Sequence, residues 1–294
     1  MAYSKFQTAR RQIEAHLQSL DQNIFKQAEI SNILEHKRHE WDLPKGMNGS
    51  VFAKKLVEAK LIREHSFPFP NRSERRYAKP CMPMLEVLQS LKVNSYFTHA
   101  SAMQVHGIRD EGVEHIFINF EQAAHERGSL PEQSRIDAAF KCNPRKTNNV
   151  IERESGDIAM LNGMHTGLLG VEEQYTTTLD SEPAKILVTN LERTLIDITV
   201  RPYYAGSVEA VLCAFERARD RVNATKLVEY LTKLNYVYPY HQALGWYMDK
   251  AGYSTQQLKK LRSRPRPRRF YLTHKMEKPV FVDAWQIFVP PHMA

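Results

Sequence analysis

Three cysteines in 294 residues, Cys81, Cys142 and Cys213, are too widely spaced for a zinc knuckle or a redox dithiol. That pattern predicts reduced thiols and a cytoplasmic protein. No stretch approaches the ~18 consecutive apolar residues of a membrane span. Lys5, Arg10, Arg11 and Glu14 interrupt the N-terminus, where a signal peptide would carry an apolar core. Catalytic signatures are missing as well: there is no Gly-x-x-x-x-Gly-Lys-Ser/Thr phosphate loop, no His-Glu-x-x-His and no Gly-x-Ser-x-Gly elbow. Gly49-Ser50 is not followed by the closely spaced carboxylates of a nucleotidyltransferase, because Glu58 and Glu64 are six apart with Lys60 and Arg63 between them. Asp137 with Lys141 is at most a fragment of a metal-dependent nuclease site. His99 and His106 are seven apart and lack a third ligand, as do His36 and His39. The expectation is therefore a protein that is not an enzyme, with no cofactor and no metal.

Charge is what the chain has, and it is unevenly placed. The formal net charge is +8. Residues 1–80 hold 15 Lys+Arg against 9 Asp+Glu, and residues 259–278 hold 9 against 1, leaving the rest of the chain at −6. Two cationic blocks around an acidic body suggest a polyanionic partner, since dense cations displace counterions from a phosphate backbone.

The first block has a helical grammar. Phe6, Ala9, Ile13, Leu17 and Leu20 recur at steps of three and four and predict an amphipathic helix over 4–20. Ile24-Phe25 precedes a second stripe, Ala28, Ile30, Ile33 and Leu34. Pro44 and Gly46 stop that helix. A third begins at Asn48 or Ser50, both good caps, and buries Phe52, Leu56 and Ala59. Leu61–Phe67 then reads as a strand, Pro68–Ser73 as a turn and Arg75–Ala78 as a return strand. Three helices and a hairpin in about 80 residues have the layout of a winged helix-turn-helix. On that layout Asn48, Ser50, Lys54 and Lys55 are candidates for the major groove, with Arg63, Arg72, Arg75 and Arg76 for the phosphate backbone. A small helical bundle with a hairpin also suits dimerisation or protein docking.

Beyond residue 80 the pattern is mixed. Pro83–Leu88 reads as a short helix, and Thr98 as the cap of a helix that Gly107 ends. Glu114–Asn119 and Arg135–Lys141 read as strands, and the chain from Ser207 to about Leu261 as strongly helical. In Glu192-Arg193-Thr194-Leu195-Ile196-Asp197, a helix would turn Leu191, Leu195 and Ile198 inward and pair Arg193 with Asp197 at i,i+4. Val280–Val282 and Trp285–Val289 read as closing strands. Between them and the helices lies the strip Lys259, Lys260, Arg262, Arg264, Arg266, Arg268 and Arg269, which two prolines should hold extended within a folded domain. Such a strip suits a phosphate backbone or an RNA; the alternative is a strap against the protein's own acidic body or an acidic partner.

Three ordered segments, YFTHASAMQVHG, TNLERTLIDITVRPYYAGS and HQALGWYMDKAG, resemble AbiEi-like antitoxins of abortive-infection toxin–antitoxin systems. The resemblance runs over most of the chain, and the very basic 259–269 strip departs from it. It implies a winged helix-turn-helix over 1–80 and an antitoxin domain over 81–294. It also implies autorepression at inverted repeats in the protein's own promoter, two copies on one site, and neutralisation of a co-encoded nucleotidyltransferase-like toxin in phage defence. The expected class is α+β: the N-terminal module followed by a mixed, helix-rich C-terminal domain. Its partners would be double-stranded operator DNA and the toxin, with no membrane. The alternatives are a basic module that grips an acidic protein and, less favoured, a nuclease.

Overall fold

The computed structural model describes residues 5–109, 115–126, 128–179 and 182–294, and the fold is mixed α and β. The chain divides into two compact units, Met1–Lys92 with Glu182–Ala184, and Val93–Ser181 with Lys185–Ala294.

In the first unit, α1 (Lys5–Ser19) buries Phe6, Ala9, Ile13 and Leu17, the stripe read from the sequence; Leu20 lies past its end and is half-buried. β1 is the pair Ile24–Phe25. α2 (Gln27–Lys37) starts where the Lys26 amide donates to the Glu29 carboxylate at 2.6 Å, and it buries Ile30 and Leu34. Trp41, Leu43 and Met47 from the connecting segment complete the core. α3 (Gly49–Glu58) is capped by Asn48, whose side-chain oxygen accepts from the Val51 amide at 2.9 Å, and it buries Phe52, Ala53 and Leu56. Burying a Phe or Leu side chain contributes roughly 1.5–3 kcal/mol, so this face alone ties α3 firmly to the core.

β2 (Arg63–Pro68) and β3 (Ser73–Ala78) form an antiparallel hairpin, and β1 pairs antiparallel with the far edge of β3, giving the order β1-β3-β2. α4 (Met84–Gln89) belongs to this unit, whose long segment runs to Lys92. The reason is polar: Arg76 of β3 donates to the Ser90 and Leu91 carbonyls, and Glu74 meets Lys92 at 3.2 Å.

The second unit is built on a six-stranded mixed sheet in the order β6-β7-β5-β4-β9-β8. Its strands are β4 (Tyr96–Phe97), β5 (Ile116–Glu121), β6 (Val150–Ile151), β7 (Ile158–Gly163), β8 (Val171–Thr176) and β9 (Ala184–Thr189). β5 runs parallel to β7 and antiparallel to β4, which runs parallel to β9. Of the strand expected over Glu114–Asn119, Glu114 lies outside the described residues.

Two local expectations are corrected. Residues 135–141 are helical, in α6 (Gln133–Lys141). Ile136, Ala138 and Phe140 alternate as a strand would, but the buried pair is Ile136 and Phe140, which share a helix face at i,i+4. The residue before α5 (Ala100–Val105) is His99, not Thr98, whose hydroxyl donates instead to Asp197 at 3.1 Å. Gly107 follows α5 with a φ of 64°, a conformation that suits glycine.

Helices α7 (Leu191–Val200), α8 (Val208–Ala218), α9 (Ala224–Leu234), α10 (Tyr240–Lys250) and α11 (Thr255–Arg262) carry most of the second core. Against them sits a small sheet, β10 (Phe270–Tyr271), β11 (Val280–Val282) and β12 (Ile287–Val289), in the order β10-β12-β11.

The approach of α2 to α3 sets the shape of the first unit. A Cβ on Gly49 would stand 1.9 Å from the Ser31 hydroxyl and 3.1 Å from its Cα. Gly49→Ala gains up to about 1 kcal/mol of helix propensity but incurs an overpacking cost of about 1–3 kcal/mol. The expected outcome is a destabilised first unit, partly restored by Ser31→Gly in the same chain. Chemical denaturation of the single and double variants checks this; a Gly49→Ala variant as stable as wild type would contradict it.

Candidate nucleic-acid interface and an aromatic cavity

On α3 the outward residues are Ser50, Val51, Lys54 and Glu58. They fall at i, i+1, i+4 and i+8 because Phe52, Ala53 and Leu56 take the inner face. Lys54 is well exposed and stands 3.9 Å from Glu58, a weak surface pair. The first turn of α3 has no acidic residue, so the positive end of its dipole is not offset there. Val51, 43% exposed, was not singled out from sequence, yet an apolar side chain on the open face of a polar helix is the visible signal.

Two of the four helix candidates have work within the unit, Asn48 in the capping role also read from the sequence. Asn48 uses its side-chain oxygen as the helix cap. Lys55 is half-buried, with its ammonium 5.8 Å from the centre of the Phe6 ring, because it is turned about 100° from Lys54 around the helix.

The hairpin sorts its arginines by strand alternation. Arg63 is exposed on β2. Arg72 is exposed in the turn, 3.7 Å from Glu74, and Arg75 is exposed on β3, 3.0 Å from Glu64. Arg76, one residue on, points to the opposite face and is 4% exposed. Its guanidinium is held by the carbonyls of Arg75 (2.7 Å), Ser90 (3.2 Å) and Leu91 (2.9 Å) and by Glu74 (3.5 Å). The expected backbone contact from Arg76 is therefore corrected: this side chain is an internal clamp.

The 259–269 strip is only partly extended. Lys259, Lys260 and Arg262 lie in the last turns of α11, and the non-helical part starts after it, at Pro265 and Pro267. Much of the strip is fastened to its own unit. Arg262 pairs with Asp249 and Arg268 with Glu132, each at 3.0 Å. Arg264 donates to the Thr232 hydroxyl, Arg266 lies 5.3 Å over the Trp285 ring, and Arg269 lies 5.9 Å over Phe288. Lys259 and Lys260 stay exposed. Asp137, the nuclease fragment, accepts from Gln133 at 2.7 Å and from the Tyr271 hydroxyl at 2.9 Å, and Lys141 is exposed. Among the described residues, no group of three or more His, Cys, Asp or Glu is placed to hold a metal ion, and no helix is long and apolar enough to cross a membrane. Cys81 and Cys142 are exposed and Cys213 is half-buried, all as free thiols.

The second unit contains a cavity of about 830 Å³ that the sequence did not suggest. Its floor is α7. The Arg193–Asp197 pair forms at i,i+4 as expected, but it is buried, with Arg193 Nε 2.8 Å from Asp197 Oδ1. Arg193 also donates to the Leu169 carbonyl at 2.7 Å, and Thr98 donates to the other Asp197 oxygen. Glu192 faces away, accepting from the Asn223 amide at 2.9 Å and from Lys226 at 2.9 Å. Burial opposes the charge on Arg193, but Asp197 outweighs it and holds the guanidinium above its usual range.

On one side Asn119 of β5 donates to the Tyr96 hydroxyl at 2.8 Å, and burial raises that phenol. Beside it, burial would raise Glu121, but donors from Thr166, Leu168 and Gly167 hold its carboxyl below the ordinary range. The opposite wall carries Tyr203, Tyr236, Tyr238 and Tyr240, with Arg201 at the end of α7. His99 completes the lining in a strained backbone conformation, φ 51° and ψ −127°. Its Nδ1 is buried without a hydrogen-bond partner. Burial, aided by Arg201 and Arg193 and opposed by Asp197, pushes this imidazole down to about 3.

No protein-family model matches the chain, and no curated protein matches it. Among solved structures, the crystal structure of the RV2827C protein from Mycobacterium tuberculosis is similar, with a TM-score of 0.54 and 13% identity over 96% of this chain and 91% of that one. At that identity the likeness is one of fold alone.

His99 generates a pH prediction. Because its folded value lies below the ordinary 6.5, the unfolded chain binds the extra proton between about pH 6.5 and about pH 3. The stability from keeping His99 neutral is fully present above pH 6.5 and is lost as pH falls through that window. His99→Asn, which tolerates a positive φ, should remove about one proton from the acid slope, near 1.4 kcal/mol per pH unit. Denaturation midpoints across the window check this; identical slopes in the two chains would contradict it.

Proposed function

We propose that this protein is a DNA-binding transcriptional regulator whose first unit is a winged helix-turn-helix. The observation that carries this reading is the exposed face of α3, Ser50, Val51 and Lys54, in the same small unit as a hairpin bearing exposed Arg63, Arg72 and Arg75. The order α1-β1-α2-α3-β2-β3, with β3 central in its sheet, supports the same assignment. In this reading α3 enters the major groove, with Ser50 and Lys54 donating to base edges and Val51 against a thymine methyl group. Arg63, Arg72 and Arg75 meet phosphates; Arg75 leaves the exposed Glu64, a partner that a phosphate displaces at little cost, and Arg72 stands 3.7 Å from Glu74, which Arg76 and Lys92 also hold.

The regulator acts as an autorepressor at inverted repeats in its own promoter and as the antitoxin of a co-encoded nucleotidyltransferase-like toxin. The ordered segments that resemble AbiEi-like antitoxins support this part, and the second unit is its antitoxin domain. A reading frame for such a toxin beside the gene, whose growth arrest is relieved by co-expression of this chain, is the expected genetic result.

The biochemical test is binding to promoter DNA from about 50 to about 200 mM salt. Lys54→Ala with Arg72→Ala should weaken binding at least tenfold and flatten the slope of log K against log salt by about one to two. Val51→Ala should relax sequence preference with the slope unchanged. A wild-type chain that binds promoter and scrambled duplexes equally, or a double variant with unaltered affinity and slope, would sink the reading.

A further inference from the structure

We infer that the cavity of the second unit is a binding site for a nucleoside phosphate. The inference goes beyond the DNA reading and does not depend on it. Three features point to a small polar ligand. The first is His99, about nine-tenths buried, with an Nδ1 that lacks any hydrogen-bond partner. Leaving such a group unmet costs about 1–3 kcal/mol, a penalty that a ligand reaching the ring would remove. The second is Arg201, half-buried on the cavity wall, whose guanidinium makes no hydrogen bond or ion pair among the described residues. The third is the set of hydroxyls on Tyr236, Tyr238 and Tyr240, likewise without protein partners among the described residues.

The chemical class follows from the balance of these groups. Among the described residues, the acids lining the cavity are Glu126 and Asp197, and Asp197 is already committed to Arg193 and Thr98. With Arg193 paired to Asp197, Arg201 and the exposed Arg145 face Glu126, an excess of one positive charge among the described lining residues that calls for an anion. A bare phosphate would occupy a small part of about 830 Å³, a volume within the range of drug-sized ligand sites. Tyr203, Tyr236, Tyr238 and Tyr240 form part of the remaining wall, and flat aromatic faces accept a stacked base whatever its identity. His99, neutral at physiological pH, presents a donor and an acceptor, which matches a base edge or a ribose hydroxyl better than it matches a second phosphate. Arg201 then holds the phosphate and the tyrosine wall holds the base. No bond is made or broken; the site binds.

Calorimetry on the full chain tests this with the four ribonucleoside monophosphates, their triphosphates and inorganic phosphate as separate titrants. At least one nucleotide should bind with a Kd below about 100 μM and at least tenfold more tightly than inorganic phosphate. Arg201→Gln should weaken it at least tenfold. Arg145→Gln, at an exposed position where folding is not at stake, should weaken it less. A thermal melt of Arg201→Gln that matches wild type assigns the loss to the site. The inference is overturned if no nucleotide binds below about 1 mM, if inorganic phosphate binds as well as any nucleotide, or if folded Arg201→Gln binds like wild type.

Discussion

A guanidinium removed from water must have its N–H groups met, and both units are organised around one that is. Arg76 in the first unit takes three backbone carbonyls and a carboxylate; Arg193 in the second takes Asp197 and the Leu169 carbonyl. Neither is strong evidence of net stabilisation, because desolvation offsets most of the attraction, yet removing one partner strands a buried charge at about 3–5 kcal/mol. Their value is positional. Arg76 brings the segment after α4 against the hairpin and so sets where the first unit ends. Arg193, gripping Asp197 while Thr98 grips the same carboxylate, fixes α7 against the turn that carries His99. The same constraint separates the arginines with internal work from those left for a partner: Arg72, Arg75 and Arg201.

How much of this was legible follows from the range of each signal. The α1 stripe Phe6, Ala9, Ile13 and Leu17, the Asn48 cap and the hairpin were readable because helical period, capping and turn chemistry act within a few residues. Arg135–Lys141 was misread because Ile136, Ala138 and Phe140 satisfy period two while Ile136 and Phe140 satisfy helical spacing; tertiary contact chose between them. Arg76 was misassigned though its signal was local, since alternation along β3 puts neighbours Arg75 and Arg76 on opposite faces. Arg193–Asp197 was readable as a pair, but its burial was not. The cavity was illegible for a plainer reason: Tyr96, His99, Asn119, Arg193, Arg201 and Tyr240 come from separate stretches that only the sheet and α7 gather.

Charge counting had a similar limit. The block 259–278 is the most cationic stretch of the chain, yet Arg262, Arg264, Arg266 and Arg268 are occupied by Asp249, Thr232, Trp285 and Glu132. Two of these are exposed ion pairs worth about 0–1 kcal/mol, which a competing polyanion displaces readily. In the free chain the strip holds the segment between α11 and β10 to its surroundings. Lys259, Lys260, Arg262 and Arg269 are what remain exposed from the sequence-level patch.

The two candidate sites differ in how they treat local rules, and that difference bears on what each is for. The α3 face and the hairpin break none: α3 is capped, Lys54 and Glu58 are solvated, and Arg63, Arg72 and Arg75 are exposed. A surface that meets a duplex through long, hydrated cations needs no strain in its free state, because the phosphate lattice supplies the order on binding. The cavity gathers three departures: a left-handed His99, its unmet buried nitrogen, and a half-buried arginine without a counter-charge. Each adds a cost that a marginally stable fold does not retain without return, and such costs collect where a ligand relieves them. By that reasoning the two proposals divide the work: a large regular polyanion met through accessible surface in the first unit, and a small one that fits inside the second.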